Sequence, residues 1–459
     1  MPIESERITV LNRKPVQVGE WVLYWMQQSQ RPHDNPALEY AILRANQLDL
    51  PVLVLFVLMD DYPEANRRHI RFMLEGLAET RQKLARRRIG MIVRQGDPLK
   101  VLVSLGRRAA LLVCDRGYLR HQQAWRRAVA RSAGCQTVMV EGDVVVPVGV
   151  VSPKAEYAAR TIRPKINKHL HRYLSICPRY RPVRSSLDLA VKSLKLDESA
   201  AILAGLTSDH SVTGVSRFFK GGPGVAKRRL RRFIQNRLHQ YAAHSNQPQT
   251  DDVSQMSPYL HFGQISPLFV ALEIEKAEGI ASTDKDAFLE ELIVRRELSA
   301  NFVFYTPDYD RFSCLPGWAR KTLAEHSGDQ RAYHYDRDTL EAAATHDPYW
   351  NAAMNEMRVT GFMHNYMRMY WGKKILEWST SPQEAYETIL ALNNRYFLDG
   401  RDPNSYAGVG WIFELHDRAW FERDIFGKVR YMSAAGLERK CDIRAYVEKV
   451  ERLGHPMGA

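Results

Sequence analysis

The chain has 459 residues, with 65 Lys and Arg against 52 Asp and Glu, a formal charge of +13 and a pI near 9.4. At 45% hydrophobic and 25% charged it has globular usage, which excludes a wholly disordered or fibrous polymer. No run approaches the roughly 20 uncharged apolar residues that a membrane-spanning helix needs. The opening residues, MPIESERITVLNRK, are polar and lack the apolar core of a secretory signal, so an intracellular protein is expected, in the cytoplasm, nucleoid or nucleus. Cys114, Cys135, Cys177, Cys314 and Cys441 are widely spaced and form no CxxC pair, which argues for a reducing compartment and against a disulfide frame or zinc site. The positive excess fits a polyanionic partner.

In chain order, Trp21–Met26, Pro51–Leu58, Ile89–Val93, Ala110–Cys114 and Gln136–Val140 are short, uninterrupted apolar runs that read as buried strands. Between them, Ala37–Leu48, Glu64–Arg87, Asp97–Arg107 and Leu119–Ser132 have helical spacing. This alternation predicts a parallel, Rossmann-like sheet with helices on both faces and a ligand crevice at the strand ends. No GxGxxG or GxxxxGK[ST] occurs, so an NAD site or P-loop is not expected. After the apolar segment Val144–Val151 comes a basic helix over Lys154–Leu174, then a Pro- and Ser-containing connector over Cys177–Leu196. From about Leu206 the pattern is helical, with helices expected at Val225–Ala243, Pro267–Lys276, Lys285–Phe304, Met354–Glu377 and Pro382–Leu392. The expected organisation is an α/β domain over 1–150, a linker over 151–205 and an all-α domain over 206–459.

Thr213–Ser245 carries Arg217, Lys220, Lys227, Arg228, Arg229, Arg231, Arg232 and Arg237 with no Asp or Glu, and its FFKGGPG segment reads as a mobile loop opening a helix. A second basic cluster over Arg418–Lys440 is interleaved with Trp420 and Tyr431, a pattern suited to phosphate contact and base stacking. Glu291 and Arg295 lie at i,i+4, the spacing of a surface ion pair; in a dry pocket the same carboxyl would hold its proton more readily. Trp371 and Trp378 share one helix face, with Trp350 in the turn region before that helix. The stretch LNNRYFLDGRDPNSYAGVGW is too polar for a simple core, and Asn393, Asn394, Asp399, Arg401 and Asp402 read as a polar ligand cradle.

The stretches RPHDNPAL (Arg31–Leu38), EYAARTIRPKI (Glu156–Ile166), SPYLHFGQIS (Ser257–Ser266), THDPYWNAAMNEM (Thr345–Met357), TGFMHNYMRMYWGKKILEW (Thr360–Trp378), DGRDPNSYAG (Asp399–Gly408) and GKVRYM (Gly427–Met432) resemble class II cyclobutane pyrimidine dimer photolyases of the photolyase/cryptochrome family. The resemblance spans essentially the whole chain. It implies an α/β antenna domain and a helical FAD domain, acting as a monomer on UV-damaged DNA, with light-driven electron transfer from reduced FAD splitting a flipped-out dimer. The antenna chromophore is not readable from the residues: the family uses a deazaflavin, a folate, or neither.

The same resemblance assigns roles by position. Ser254, Met256 and Ser257 would hold the FAD diphosphate with Tyr241 nearby, and Asn365, Arg368 and Asp399 would line the flavin, the last two as an ion pair. Asn393 would face flavin N5, Glu291 would hydrogen-bond a thymine carbonyl, and Met369 and Trp411 would pack against the dimer. Trp350, Trp371 and Trp378 would re-reduce oxidised flavin. Arg418 would enter the hole left in the duplex, Arg430, Arg439 and Lys440 would grip phosphate, and Arg295 stands where some relatives carry a stacking Trp. The Trp411–His416 loop is one residue shorter than the family pattern. Asn365 and Met369 occupy the places where a (6-4) photolyase needs histidines, which argues against that activity. A cryptochrome-like photoreceptor is the rival class; the basic clusters, Glu291, and the lack of a long tail after Lys449 favour repair. A cofactor-free nucleic-acid binder would not explain the polar cradle.

Overall fold

In the computed structural model, which describes residues 3–454, the apolar runs of the first part assemble into a six-stranded sheet. The strands are β1 (Ile8–Val10), β2 (Trp21–Trp25), β3 (Val52–Leu58), β4 (Gly90–Gln95), β5 (Ala109–Asp115) and β6 (Gln136–Val140), in the order β1-β6-β5-β2-β3-β4. The five expected strands pair parallel. The short, half-polar β1 was not anticipated; it joins antiparallel, Thr9 opposite Met139, and closes the β6 edge. Helices α1 (Pro36–Gln47), α2 (Arg67–Ala85), α3 (Pro98–Gly106) and α4 (Arg120–Ser132) cover the sheet. Leu23, Leu55 and Leu112 pack on one face, and Tyr24, Val54 and Val113 on the other, so both faces are buried and the strands are apolar throughout. Helix α2 starts later than its apolar spacing suggests, because Glu64 is left-handed (φ 57°) and Asn66 caps the first turn.

The strand order reverses between β2 and β5, and the loop after β2 is fixed there by one carboxylate. Asp115, at the end of β5, accepts hydrogen bonds from the backbone N–H groups of Gln27, Gln28 and Ser29 at 2.8–3.0 Å and from the Tyr24 hydroxyl at 2.7 Å. The connector has no helix or strand between Leu174 and Lys195, yet it is not a free tether. Ser186 Oγ accepts from Gly90 N–H, Ser193 Oγ from Val93 N–H, and Leu194 N–H donates to Val93 O, so the connector satisfies groups that β4 would otherwise leave open at the sheet edge.

The remainder is helical. The elements used below are α5 (Ala159–Tyr173), α6 (Pro223–Asn236), α7 (Arg296–Tyr305), α8 (Pro348–Thr360), α9 (Asn365–Trp378), α10 (Pro382–Tyr396) and α11 (Pro403–Ile412). Three expected single helices are divided. Val225–Ala243 stops at Asn236, where Arg237 leaves the helical conformation (φ −139°), and resumes through a 3-10 turn as the short helix Tyr241–His244. Met354–Glu377 breaks at Gly361, a left-handed C-cap (φ 76°) that ends α8 and turns the chain into α9, so Trp350 lies on its own helix. Lys285–Phe304 is interrupted by a π-helical turn over Glu290–Arg295. The FFKGGPG segment also differs from expectation: Gly221, Gly222 and Gly224 N–H groups donate to Glu75, Gln264 and Glu79, which tie the loop to α2.

Polar clamps join the sheet region to the helices. The Arg31 guanidinium donates to Gly142 O and Gly263 O, and Arg68 reaches Met357 O and Tyr396 O. His69 accepts from Arg401 and is held far below the usual histidine pKa by burial and then by that guanidinium. Buried Glu297 on α7 accepts from Val145 and Val146 N–H, and burial pushes its carboxyl up to about 8. Gly263 (φ 62°) is forced by close approach, since a Cβ there would lie 1.6 Å from Gln28 O.

Candidate active site

Helix α9 is the axis of the site. His364 caps it, its ring Nδ1 accepting from Tyr366 N–H, and Arg368 projects from the first turn to Asp399 with both carboxylate oxygens at 3.0–3.1 Å. The Arg368 guanidinium also lies 3.9 Å from the Phe397 ring centroid. The predicted ion pair is therefore present, and Phe397, which carries no local signal of a role, stacks against the guanidinium.

Asn393, in the last turn of α10, is buried. Its amide donates to Asn394 Oδ1 at 2.9 Å and to Ser405 Oγ. The orientation of Asn394 is set in turn, because its oxygen accepts from Arg401 N–H and its amide donates to Glu64 at 2.7 Å. Both amide hydrogens of Asn393 are thus engaged, and its carbonyl oxygen has no hydrogen-bond partner among the described residues. The polar cradle read from sequence divides on this basis. Asn394, Arg401 and Asp402 are structural, Asp402 capping α11 and contacting His261; Asp399 is committed to Arg368, and Asn393 alone keeps an oxygen without a hydrogen-bond partner among the described residues. Glu64 and Ser405 were missed; Glu64 lies 330 residues from its partner, and no local signal could reveal it.

The three tryptophans form one buried assembly with their neighbours. Trp350 Nε1–H donates to Trp371 O at 2.9 Å, and the Trp350 and Trp378 rings meet edge-to-face at 5.6 Å. Trp371 packs against Phe397 at 6.4 Å, and its own Nε1 is buried without a partner among the described residues. Trp378 contacts Tyr335 and His346, and Tyr333, half-exposed, stacks on His346 at 3.6 Å. An aromatic series therefore runs from Trp350 through Trp378, Tyr335 and His346 to half-exposed Tyr333, while Trp371, packed on Phe397, joins it through its backbone carbonyl.

The π-helical turn presents Glu291 and Arg295 together with Trp411, at the end of α11. The expected Glu291–Arg295 ion pair is only marginal at 4.0 Å; Arg295 lies nearer Glu290 (3.4 Å), which is itself held by Arg163. The Arg295 guanidinium stacks 4.9 Å from the Trp411 ring centroid. Glu291 is 54% exposed by side chain, yet crowded enough that desolvation raises its pKa, with Arg295 opposing the shift. Tyr241 stands near it, its hydroxyl pushed above the usual range by burial and by Glu291.

A cavity of about 400 Å³ is lined by Arg228, Arg229, Arg232 and Arg237 against one carboxylate, Asp251, with Val253, Ser254 and Gln255 completing the wall. The first basic cluster thus meets the Ser254 segment, with Met256 buried and Ser257 opening the short helix Ser257–His261. Asn365 is exposed at the start of α9, and Met369 packs against the helical core. In the second basic cluster Arg418 and Arg430 flank Trp420, at 5.4 and 5.1 Å from its ring centroid, beside Phe421, which is 89% exposed. Arg439 and Lys440 are exposed on the helix Ala434–Lys440, a separate element from the Trp420 stack.

A deoxyribodipyrimidine photo-lyase of Methanothermobacter thermautotrophicus is 48% identical over 453 residues, covering 98% of this chain and 99% of the relative. The chain belongs to the deoxyribodipyrimidine photo-lyase family. The DNA photolyase family model matches residues 22–184, most of the sheet region and the connector. A bacterial class III photolyase structure from Agrobacterium tumefaciens superposes over 95% of this chain and 87% of its own, with a TM-score of 0.74 at 20% identity. A Synechocystis cryptochrome superposes over 95% and 90%, with a TM-score of 0.73 at 16% identity. The fold is therefore shared by structures named a photolyase and a cryptochrome, and the fold alone does not assign an activity.

Among the described residues, no helix is long and apolar enough to cross a membrane.

Proposed function

We propose that this photo-lyase family member repairs cyclobutane pyrimidine dimers in UV-damaged DNA under light, as a monomer. The observation that carries the reading is the grouping of Glu291, Arg295 and Trp411, with the Arg295 guanidinium over the Trp411 ring and 4.0 Å from Glu291, in a chain whose α9 also presents the Arg368–Asp399 ion pair. The sheet region over 1–150 would serve as antenna domain, joined by 151–205 to an FAD domain over 206–459.

The donor set fits FAD. Ser254 within the arginine-lined cavity, with Met256, Ser257 and Tyr241, suits a diphosphate, and the Arg368–Asp399 pair with the Asn393 carbonyl and Asn365 suits a flat ring with polar edges. Reduced FAD, when bound, supplies a photoexcitable one-electron donor. The protein's own residues then position, desolvate and stabilise charge. Glu291, whose raised pKa favours the protonated form, holds its carboxyl proton toward a carbonyl of the dimer, where negative charge develops. Met369 and the Arg295–Trp411 stack pack against the extruded bases, whose damaged pairing lowers the cost of flipping. Arg418 and Trp420 occupy the gap left in the duplex, while Arg430, Arg439 and Lys440 contact phosphate, so affinity falls with salt. Trp378, Trp350 and Trp371 conduct an electron inward from the surface aromatics. An antenna pigment, deazaflavin or folate, is assigned to the crevice beyond β2 and β5, where Gln27 Oε1 and Gln30 Oε1 are buried without a partner among the described residues.

The test is repair of matched oligonucleotides carrying a cyclobutane dimer or a (6-4) photoproduct. Light-dependent loss of the cyclobutane dimer alone supports the reading. Equal repair of the (6-4) product refutes the specificity, and FAD binding with repair of neither favours the photoreceptor.

A further inference from the structure

The loop from Trp411 to His416 is held by an ion pair that the chemistry above does not use. Lys373, on α9 between Trp371 and Trp378, and Glu414, in the loop, are 0% and 1% exposed, with Nζ and Oε1 2.8 Å apart. A buried pair of this kind recovers its desolvation penalty only through further hydrogen bonds, and here each bond goes to the backbone of a proposed lesion-contacting segment. The Lys373 ammonium also donates to Ile412 O at 2.5 Å, and Glu414 Oε1 accepts from Arg430 N–H at 2.9 Å. Glu414 and His416 are both left-handed (φ 67° and 69°), conformations that non-glycine residues hold only when their surroundings enforce them. Glu414 N–H donates back to Trp411 O and Leu415 N–H to Gly410 O, so the turn is closed directly behind the Trp411 ring. The fit is close on the helix side as well: a Cβ at Gly372 would lie 2.1 Å from the Ile412 side chain.

We infer that the Lys373–Glu414 pair is the positioning device of lesion recognition, fixing the Trp411 turn and the Arg430 backbone in one frame with α9 and hence with Met369. The inference rests on the lesion role proposed for Trp411. Neither member of the pair touches DNA; both act through the main chain they hold. The pair makes recognition of the damaged bases depend on the helix that also carries Trp371, so the separation of Trp411 and Met369 is set by α9 rather than by a free loop.

Two experiments test this in the FAD-loaded protein. Lys373→Met alone leaves a buried unpaired carboxylate, so the double variant K373M/E414M, which replaces the pair with apolar side chains of similar length, is the decisive one. It should keep wild-type FAD content, flavin photoreduction rate and affinity for undamaged DNA, while its Kd for dimer-containing DNA rises at least about tenfold. Wild-type affinity for dimer DNA in the double variant would overturn the inference. In the unmodified protein, hydrogen exchange of the Glu414 and Leu415 amides should be as slow as that of α9, and exchange at loop-like rates would equally overturn it. Trp411→Ala separates the claims: if it binds dimer DNA like wild type, the lesion reading of Trp411 fails irrespective of the pair.

Discussion

Removal of the Glu291 carboxyl addresses the charge-stabilising step most directly. The side chain is 54% exposed and 4.0 Å from the nearest guanidinium atom of Arg295, so it is neither free in water nor neutralised by a tight ion pair. A hydrogen bond to a developing charge is worth about 1.5–3 kcal/mol, and the partial exposure argues for the lower end. A loss of about 1.5 kcal/mol corresponds to roughly a tenfold slower splitting step. Glu291→Ala should therefore lower single-flash repair of a thymine-dimer oligonucleotide by about tenfold under anaerobic conditions, with FAD content and dimer-DNA affinity nearly unchanged. Glu291→Gln keeps a donor and should lose less. Its pH profile separates the two effects. Because desolvation raises the Glu291 pKa, the wild-type protonated form persists to higher pH than an ordinary carboxyl, and repair declines as pH rises through that raised value. The Gln variant should not show this decline. Unchanged repair in Glu291→Ala at saturating DNA would refute the assignment.

Three further outcomes are expected. Trp371→Phe should abolish photoreduction of oxidised flavin, followed by absorbance, yet spare repair when flavin is reduced chemically; normal photoreduction would remove Trp371 from the path. Gly263→Ala should lower stability by more than about 3 kcal/mol, combining roughly 1–2 kcal/mol of left-handed strain with a forced separation from Gln28 O, and an unchanged melting temperature would contradict the close approach. His416, pushed down to about 4 chiefly by burial, stays neutral in the fold while the unfolded chain protonates near 6.5. Its contribution is therefore lost as pH falls from 6.5 toward 4, about 2 kcal/mol by pH 5, and His416→Asn should flatten the pH dependence of urea unfolding.

Much of the fold was legible because both faces of the sheet are buried: five strands announce themselves as unbroken apolar runs, and four helices by their spacing. Strand β1 was not, since three half-polar residues carry no period, and its register is set by β6 alone. The division of the long helices was obscured by continuous apolar spacing across Gly361, whose left-handed turn becomes evident only where α8 must reverse into α9. In the site, side chains clustered in sequence, such as Arg368 and Asp399 within their motifs, were readable through resemblance. The groups that orient them were not: Glu64 reaches Asn394 across the interface of sheet and helices, and Glu290 diverts Arg295 from Glu291 because the π-turn changes their phase. Neighbours made by tertiary packing leave no trace in local spacing.

The central claim is light-dependent repair, and loss of cyclobutane dimers from UV-irradiated DNA by the purified, flavin-reduced protein tests it most directly. Dimers are expected to disappear under near-UV or blue light, to persist in the dark, and to be lost more slowly as salt weakens binding. Persistence of the dimers under illumination, with reduced flavin and DNA both bound, would contradict it.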